Sequence, residues 1–243
     1  MGHLPEGARP HVGTTDVDLV IGLALGDESP ETYRTLQNNL EKANLKQCEP
    51  SFRWTREVDG VKVQVEFLCE TDKVGPGRIY SPKGEFTGAK VAAFNVRGAQ
   101  LVRRDFIECE IEGERLDGGG RSRVCVRVAN VLPYAVLKIL AFQDRHENKD
   151  AYDLIFTLLN FKGGPTDAGI VASSSAIVKH AQVREALKLV EERFLDVSQD
   201  GPHAYASFLA DDEDEEARLR QQAVATVREF LQGVRLAPSE HRD

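Results

Sequence analysis

Apolar and polar residues in the first half of the chain alternate or form short aliphatic runs, which is the pattern of β-strands. One aliphatic run predicts a buried strand over residues 16–25. The pair Asp59-Gly60 predicts a tight turn that joins strands at residues 52–58 and 61–69. Further strands are predicted in three later segments, residues 98–102, 106–111 and 124–128.

Helical spacing of apolar residues occurs once in the first half of the chain and throughout the second half. Ser29 as an N-cap, followed by Pro30 in the first turn, predicts a helix that runs to about residue 43. Pro133 lies in the first turn of the next predicted helix. Asn148 is expected to cap the helix after that one, and a Gly-Gly-Pro loop is predicted at residues 163–165. The remaining predicted helices occupy residues 149–159, 173–195 and 217–234. The sequence therefore predicts an α+β fold with a boundary between residues 1–130 and a helical region at residues 131–243.

Asp16 and Asp18 open the first predicted strand and are one residue apart, so their side chains share one face of it. Two neighbouring carboxylates repel unless a cation or a proton lies between them, and hard divalent cations such as Mg²⁺ prefer oxygen ligands. The ordinary alternative is a pair of strand-end acids that bind water and loose backbone groups. Glu66 is a third candidate, because period two places it opposite the apolar face of its strand; the alternative is an ordinary exposed acid.

The composition is that of a globular protein, with 243 residues, 41% hydrophobic residues and 29% charged residues. No apolar run approaches the roughly twenty residues that cross a bilayer, and no signal segment is evident, so we expect a cytoplasmic protein without membrane partners. The four cysteines and six histidines lack zinc-ligand spacing, and buried thiols are expected.

A formal net charge of −8 excludes a protein that simply coats nucleic acid. Arginines concentrated between residues 97 and 127 leave two interpretations open, a local basic groove or a solvated sheet face.

A second polar cluster accompanies the first two helices of the helical region: Lys138, Arg145, Lys149, Asp150 and Asp153. Lys138 and Arg145 are two helical turns apart and share a face if the helix runs through His146. By themselves these residues favour ordinary ion pairs on a helix surface, worth a few tenths of a kcal/mol each.

Three blocks in the same order resemble the AbiEii/AbiGii-type minimal nucleotidyltransferases, which are toxins of bacterial toxin–antitoxin and phage-abortive systems. The resemblance spans roughly residues 12–159, and its most specific element is the Lys-Asp-x-Tyr-Asp-Leu sequence after a lysine-bearing helix. The blocks are Thr14-Thr15-Asp16-Val17-Asp18-Leu19-Val20, Val65-Glu66-Phe67-Leu68, and Leu137-Lys138-Ile139-Leu140-Ala141 continuing through Arg145 to Lys149-Asp150-Ala151-Tyr152-Asp153-Leu154.

The resemblance implies a polymerase-β-like nucleotidyltransferase core, with a mixed sheet and helices, in which Asp16, Asp18 and Glu66 hold one or two Mg²⁺ ions. A nucleotide would pass from a nucleoside triphosphate (NTP) to an acceptor, RNA or protein, and a cognate antitoxin would be a partner. Lys138 and Arg145 would bind the nucleotide and offset charge on its phosphates.

The resemblance also implies roles for the two aspartates of the helical cluster. Asp150 would orient the acceptor or the lysine, and Asp153 would support the helix pair.

Two departures from the family pattern bear on activity. The family carries a Gly-Gly or Gly-Ser motif upstream of the paired acids, and residues 1–13 lack it, so either the chain begins downstream of the true start or part of the nucleotide grip is lost. Glu66 replaces the usual third aspartate. The alternatives are a catalytically degenerate protein of this fold that acts through a partner, or a transferase whose acceptor is a small molecule.

Overall fold

The computed structural model describes residues 10–14, 16–21, 30–81, 90–115 and 119–236 and has the predicted α+β fold. The chain divides into two compact units. The sheet unit consists of Val12–Arg103 and Glu108–Val126, and the helical unit of Met1–His11, Arg104–Ile107 and Arg127–Asp243.

A mixed sheet forms the centre of the sheet unit. Its path is β2-β3-β4-β6-β5, and β1 pairs with β4 off this path. The pairs β1–β4 and β4–β6 are parallel, whereas β2–β3, β3–β4 and β5–β6 are antiparallel. The strands are β1 (Asp16–Val20), β2 (Lys46–Cys48), β3 (Arg53–Val58), β4 (Val61–Cys69), β5 (Ile79–Tyr80) and β6 (Ala93–Asn95), and helix α1 is Pro30–Lys42.

The hairpin of β3 and β4 confirms the turn predicted from its sequence. Asp59 and Gly60 have φ angles of 50° and 78°, which fit the turns that match the twist of paired strands. The predicted apolar face of β4 is confirmed in the later part of the strand, where Phe67 and Cys69 are buried and Val65 packs against the same core. It is wrong for Val61, which is 52% exposed. The polar residues Lys62, Gln64 and Glu66 therefore lie on the opposite face of β4.

Strand β1 is not buried, contrary to the prediction. Val17 and Leu19 are 50% and 42% exposed, because the core under α1 gathers around β3, β4 and β6. Residues 22–29, which include the predicted cap Ser29, lie outside the described residues. The strand predicted at residues 98–102 is a 3₁₀ helix, Ala99–Arg103, whose buried residues Ala99 and Leu101 alternate as strand residues would.

A separate two-stranded ribbon is formed by β7 (Phe106–Glu114) and β8 (Arg121–Ala129), as predicted. Arg123 Nε lies 2.8 Å from Glu110 Oε1, and Arg121 Nε lies 3.4 Å from Glu112 Oε1. These two arginines therefore belong to an ion-paired, solvated sheet face. Cys125 is exposed on this ribbon, so the prediction that the thiols are buried is wrong for it.

The helical unit contains six helices among the described residues: α2 (Val131–Arg145), α3 (Asn148–Leu159), α4 (Gly164–Ser173), α5 (Ala181–Phe194), α6 (Asp200–Leu209) and α7 (Glu213–Leu236). Asn130 caps α2 by accepting a 2.8 Å hydrogen bond from the Val131 amide, and Pro133 lies in the first turn as predicted. His146, with φ of 53°, ends α2. None of the helices in the described ranges is both long and apolar enough to span a bilayer.

Several predicted helix boundaries are wrong. The helix predicted at residues 173–195 is the end of α4 and a separate α5, capped by the His180 side chain, because turns interrupt it at residues 174–180. Gly164 and Pro165 belong to α4 and not to a loop, since proline fits the first turn. Asn148 is the first residue of α3 and not its cap. Helix α6 was not predicted, because its Asp-Gly-Pro start resembles a turn.

Helices α4 and α7 pack closely through two glycines. A Cβ atom on Gly169 would overlap the backbone oxygen of Phe230, and a Cβ atom on Gly233 would overlap that of Thr166. Backbone atoms cannot turn aside as a flexible side chain does, so both positions require glycine for steric reasons.

We expect Gly169→Ala and Gly233→Ala each to lower the free energy of unfolding by about 3 kcal/mol, because the added methyl forces the helices apart. Urea denaturation followed by circular dichroism measures this. Gly75→Ala is the control, since no atom lies within 4 Å of a Cβ at Gly75. Equal midpoints for Gly169→Ala and Gly75→Ala would contradict the packing argument.

Candidate functional site

The three candidate metal ligands lie on one face of the central sheet. In the parallel pairing of β1 with β4, Asp16 is opposite Gln64 and Asp18 is opposite Glu66. Cα partners of neighbouring strands point to the same side, so Asp16, Asp18 and Glu66 share the face opposite the α1 core. The predictions that the two aspartates share a face and that Glu66 lies opposite the apolar side are therefore confirmed. We call this polar side of β1 and β4 the acid face.

Glu66 is already paired with a cation on the acid face. Arg53 is its neighbour on β3, and the Arg53 Nε donates to Glu66 Oε1 at 2.6 Å. The Gln64 Nε2 donates to the same oxygen, also at 2.6 Å. The Glu66 side chain is 14% exposed and that of Arg53 is 38% exposed, so the pair lies at the edge of solvent. Sequence periodicity did not identify Arg53, because the partner of Glu66 depends on the register of β3.

The two aspartates differ from Glu66 in their surroundings. Asp16 accepts a hydrogen bond from the Thr14 hydroxyl at its Oδ1, two residues before the strand. Asp16 is partly exposed and Asp18 is exposed. Both carboxylates are therefore near water, where a hydrated cation can reach them.

The donor chemistry of the acid face fits a hard divalent cation, because its candidate ligands are carboxylates on adjacent strands. Among the described residues, however, no three His, Cys, Asp or Glu side chains converge closely enough to hold a metal ion. Glu66 faces Arg53 instead. Both hydrogen bonds to Glu66 end on Oε1, so a cation held by all three acids would bind Glu66 through Oε2 or would displace Arg53 from Oε1.

The second predicted cluster lies within the helical unit, and its centre is a pair of buried carboxylates. Asp150, which is 1% exposed, accepts two hydrogen bonds of 2.7 Å from Nε and Nη2 of Arg145. Lys138 Nζ is 3.9 Å from Asp150 Oδ1. Helix α2 ends at Arg145 with His146 as its C-cap, so Lys138 and Arg145 both lie within it. The hydrogen bonds from Arg145 to Asp150 hold the end of α2 against the start of α3.

Asp153 is the close partner of the candidate catalytic lysine. Lys138 Nζ donates to Asp153 Oδ2 at 2.7 Å, and Lys149 Nζ donates to the same oxygen at 2.9 Å. Burial alone would raise the pKa of Asp153, but hydrogen bonds from the two lysines outweigh it and hold that pKa below its ordinary value. The carboxylate therefore stays ionised while it is 3% exposed.

His11 and Tyr134 complete this cluster and were not predicted. His11 Nε2 lies 3.1 Å from Asp153 Oδ1, and its ring packs against Tyr152 and Phe156 at centroid distances of 5.1 and 4.8 Å. Burial raises the pKa of Tyr134 to about 12, and the charge of Asp153 adds to the shift. The phenol is therefore neutral at physiological pH.

The interpretation of these residues as ordinary surface ion pairs is wrong. The carboxylates of Asp150 and Asp153 are buried, and only the cations reach solvent, with Lys138 21% and Arg145 55% exposed. Helical spacing predicted the shared face of the residues but not its burial, because the packing of α2 on α3 is a tertiary contact.

Comparisons with known proteins do not identify a family. No family model matches the chain, and no match is found among curated proteins or among solved structures.

We expect Asp153→Asn to lower the free energy of unfolding by about 2 kcal/mol at pH 7, because it removes the charge that accepts from two lysines. The folded-state pKa of Asp153 is lowered, so this stabilisation is complete above the ordinary value of 3.8 and is lost as the pH falls through the folded-state pKa. Urea denaturation at pH 7 and at pH 3 measures whether the difference from the wild type shrinks in acid.

Glu192→Gln is the control for Asp153→Asn. It removes an exposed carboxylate that pairs with Lys188 one helical turn away, and we expect a change below about 0.5 kcal/mol at either pH. A loss in Asp153→Asn that is the same at pH 7 and pH 3 would contradict an ionised Asp153.

Proposed function

We propose that this protein is a Mg²⁺-dependent nucleotidyltransferase that moves a nucleotide from an NTP to an acceptor. The observation that carries the proposal is the register of β1 and β4, in which Asp18 is the direct neighbour of Glu66 and Asp16 lies two residues earlier on the same face. Acids from two strands on one open sheet face supply the ligand type that Mg²⁺ and triphosphate require. The resemblance of the surrounding sequence blocks supports the same activity and a polymerase-β-like core.

Asp16, Asp18 and Glu66 are the residues that would hold the metal. Bound Mg²⁺ supplies positive charge that polarises the phosphate under attack and neutralises the leaving pyrophosphate. Asp16 and Asp18 would hold the metal at a fixed place on β1, and the Thr14 hydroxyl, which donates to Asp16 Oδ1, restricts the rotation of Asp16. Lys138 and Arg145 are assigned to the nucleotide by the resemblance alone, and they donate hydrogen bonds to Asp153 and Asp150, respectively.

The acceptor class and the biological setting follow from the resemblance. We infer an RNA or protein acceptor, a cytoplasmic toxin–antitoxin or phage-defence role, and a cognate antitoxin as partner. The paired arginines of the ribbon do not decide between these acceptors, since their charge is balanced by Glu110 and Glu112.

A second candidate function is a catalytically degenerate protein of the same fold that acts through a partner. It is favoured by the contact of Glu66 with Arg53, because a carboxylate already neutralised by a guanidinium needs no metal. The two candidates differ in whether the acid face binds a nucleotide with its metal.

We expect calorimetric titration with ATP, GTP, CTP and UTP in the presence of Mg²⁺ to detect saturable binding of at least one nucleotide. Asp16→Asn/Asp18→Asn should weaken that binding at least tenfold, because it removes both exposed carboxylates of the acid face, and removal of Mg²⁺ by a chelator should have the same effect.

The matched control is Glu110→Gln/Glu112→Gln, which also removes two negative charges from the sheet unit but lies on the ribbon. It should bind as the wild type does. Absence of Mg²⁺-dependent binding of all four nucleotides to the wild type would contradict the transferase proposal and leave the degenerate binding protein.

A further inference from the structure

Arg53 presents an unused hydrogen-bonding edge on the acid face. Only its Nε contacts Glu66, at 2.6 Å, and among the described residues none accepts a hydrogen bond from Nη1 or Nη2. A guanidinium that served only to neutralise Glu66 would commonly present two parallel donors to the carboxylate, as Arg145 does to Asp150. The forked end of Arg53 is therefore available to a second anion.

The Arg53 guanidinium lies over an aromatic ring, and the Arg53 side chain is partly exposed. Its guanidinium carbon lies 5.0 Å from the centre of the Phe52 ring, and Phe52, which is 5% exposed, stacks on Phe94 at a centroid distance of 5.0 Å. The side chain itself is 38% exposed. A cation on a fixed aromatic surface is already oriented and loses little freedom when it binds a ligand.

We propose that Arg53 binds a phosphate of the incoming nucleotide. When a divalent cation reaches the acid face, Arg53 gives up its contact with Glu66 and contacts the phosphate instead. This inference rests on the proposed function. In the protein without ligand, Arg53 is the cation that neutralises Glu66. When Glu66 turns to the metal, the guanidinium, released at Nε, donates to the triphosphate, and Gln64 still donates to the carboxylate. No bond is made or broken in this exchange of contacts.

The exchange predicts opposite changes in metal affinity and nucleotide affinity when Arg53 is lost, which a merely structural ion pair does not. A guanidinium that is paired with Glu66 on the acid face opposes a free divalent cation, because it competes for Glu66 and adds positive charge. The same guanidinium favours a triphosphate that carries its own metal, because its fork matches two phosphate oxygens. Loss of Arg53 must therefore strengthen the binding of the free metal and weaken the binding of the metal–nucleotide complex.

The test compares the wild type with Arg53→Gln and Arg53→Lys in the full chain. Mn²⁺ alone is titrated by electron paramagnetic resonance, and the Mg²⁺ complex of the NTP that binds the wild type is titrated by calorimetry. We expect Arg53→Gln to bind Mn²⁺ about threefold more tightly and the Mg²⁺–nucleotide complex about tenfold more weakly. Arg53→Lys retains the charge without the fork, so Mn²⁺ binding should be unchanged and nucleotide binding about threefold weaker.

Arg123→Gln is the control, since it removes one arginine of the sheet unit that pairs with Glu110 on the ribbon, and it should leave both affinities unchanged. Circular dichroism establishes whether each variant is folded. If Arg53→Gln does not fold, the nucleotide affinity of Arg53→Lys tests the proposal. Unchanged nucleotide binding in the Arg53 variants, or a parallel loss of Mn²⁺ and nucleotide binding, would overturn the role of Arg53 while the wild type still binds nucleotide. A wild type that binds no nucleotide would overturn the proposed function, and the role of Arg53 with it.

Discussion

A carboxylate that leaves water keeps its charge only when cations and hydrogen-bond donors replace the water, and this constraint governs both polar clusters of the protein. In the helical unit, Asp150 and Asp153 are almost fully buried, and each is surrounded by cations from the same helix pair. The contacts join the end of α2 to the start of α3. A neutral replacement would leave the lysines and the arginine without the acceptors that orient them, so the position of the two helices and the direction of their cations depend on one another.

The same constraint determines the state of the lysine that the resemblance assigns to the nucleotide. Lys138 is not a free cation: its Nζ donates a hydrogen bond to Asp153 Oδ2 at 2.7 Å, and Lys149 Nζ donates to the same oxygen at 2.9 Å. Three cationic or titratable side chains, those of Lys138, Lys149 and His11, thus contact one aspartate. Two lysines thus share one buried aspartate in a chain whose formal net charge is −8, and a local concentration of cations is what a polyanionic ligand requires.

On the acid face the balance of charge is different. Asp16, Asp18 and Glu66 lie on one side of β1 and β4, and among the described residues Arg53 pairs with Glu66. Arg53 and Gln64 provide hydrogen-bond donors to Glu66 in the absence of a metal, so this partly buried carboxylate has partners on the sheet itself. An ion pair at the edge of solvent is worth little, and its partners can be exchanged at low cost.

The sequence by itself determined the features that depend on short-range periodicity. These are the hairpin at Asp59-Gly60, the apolar face of β4, the shared face of Asp16 and Asp18, and the helical nature of the second half. Only the tertiary structure decided which of these faces are covered. Val17 and Leu19 are exposed although their run is aliphatic, and Asp150 and Asp153 are buried although they are charged, because burial depends on the element that packs against a face. The pairing of Glu66 with Arg53 was likewise beyond the sequence pattern, since a cross-strand neighbour follows from register and not from spacing along one strand.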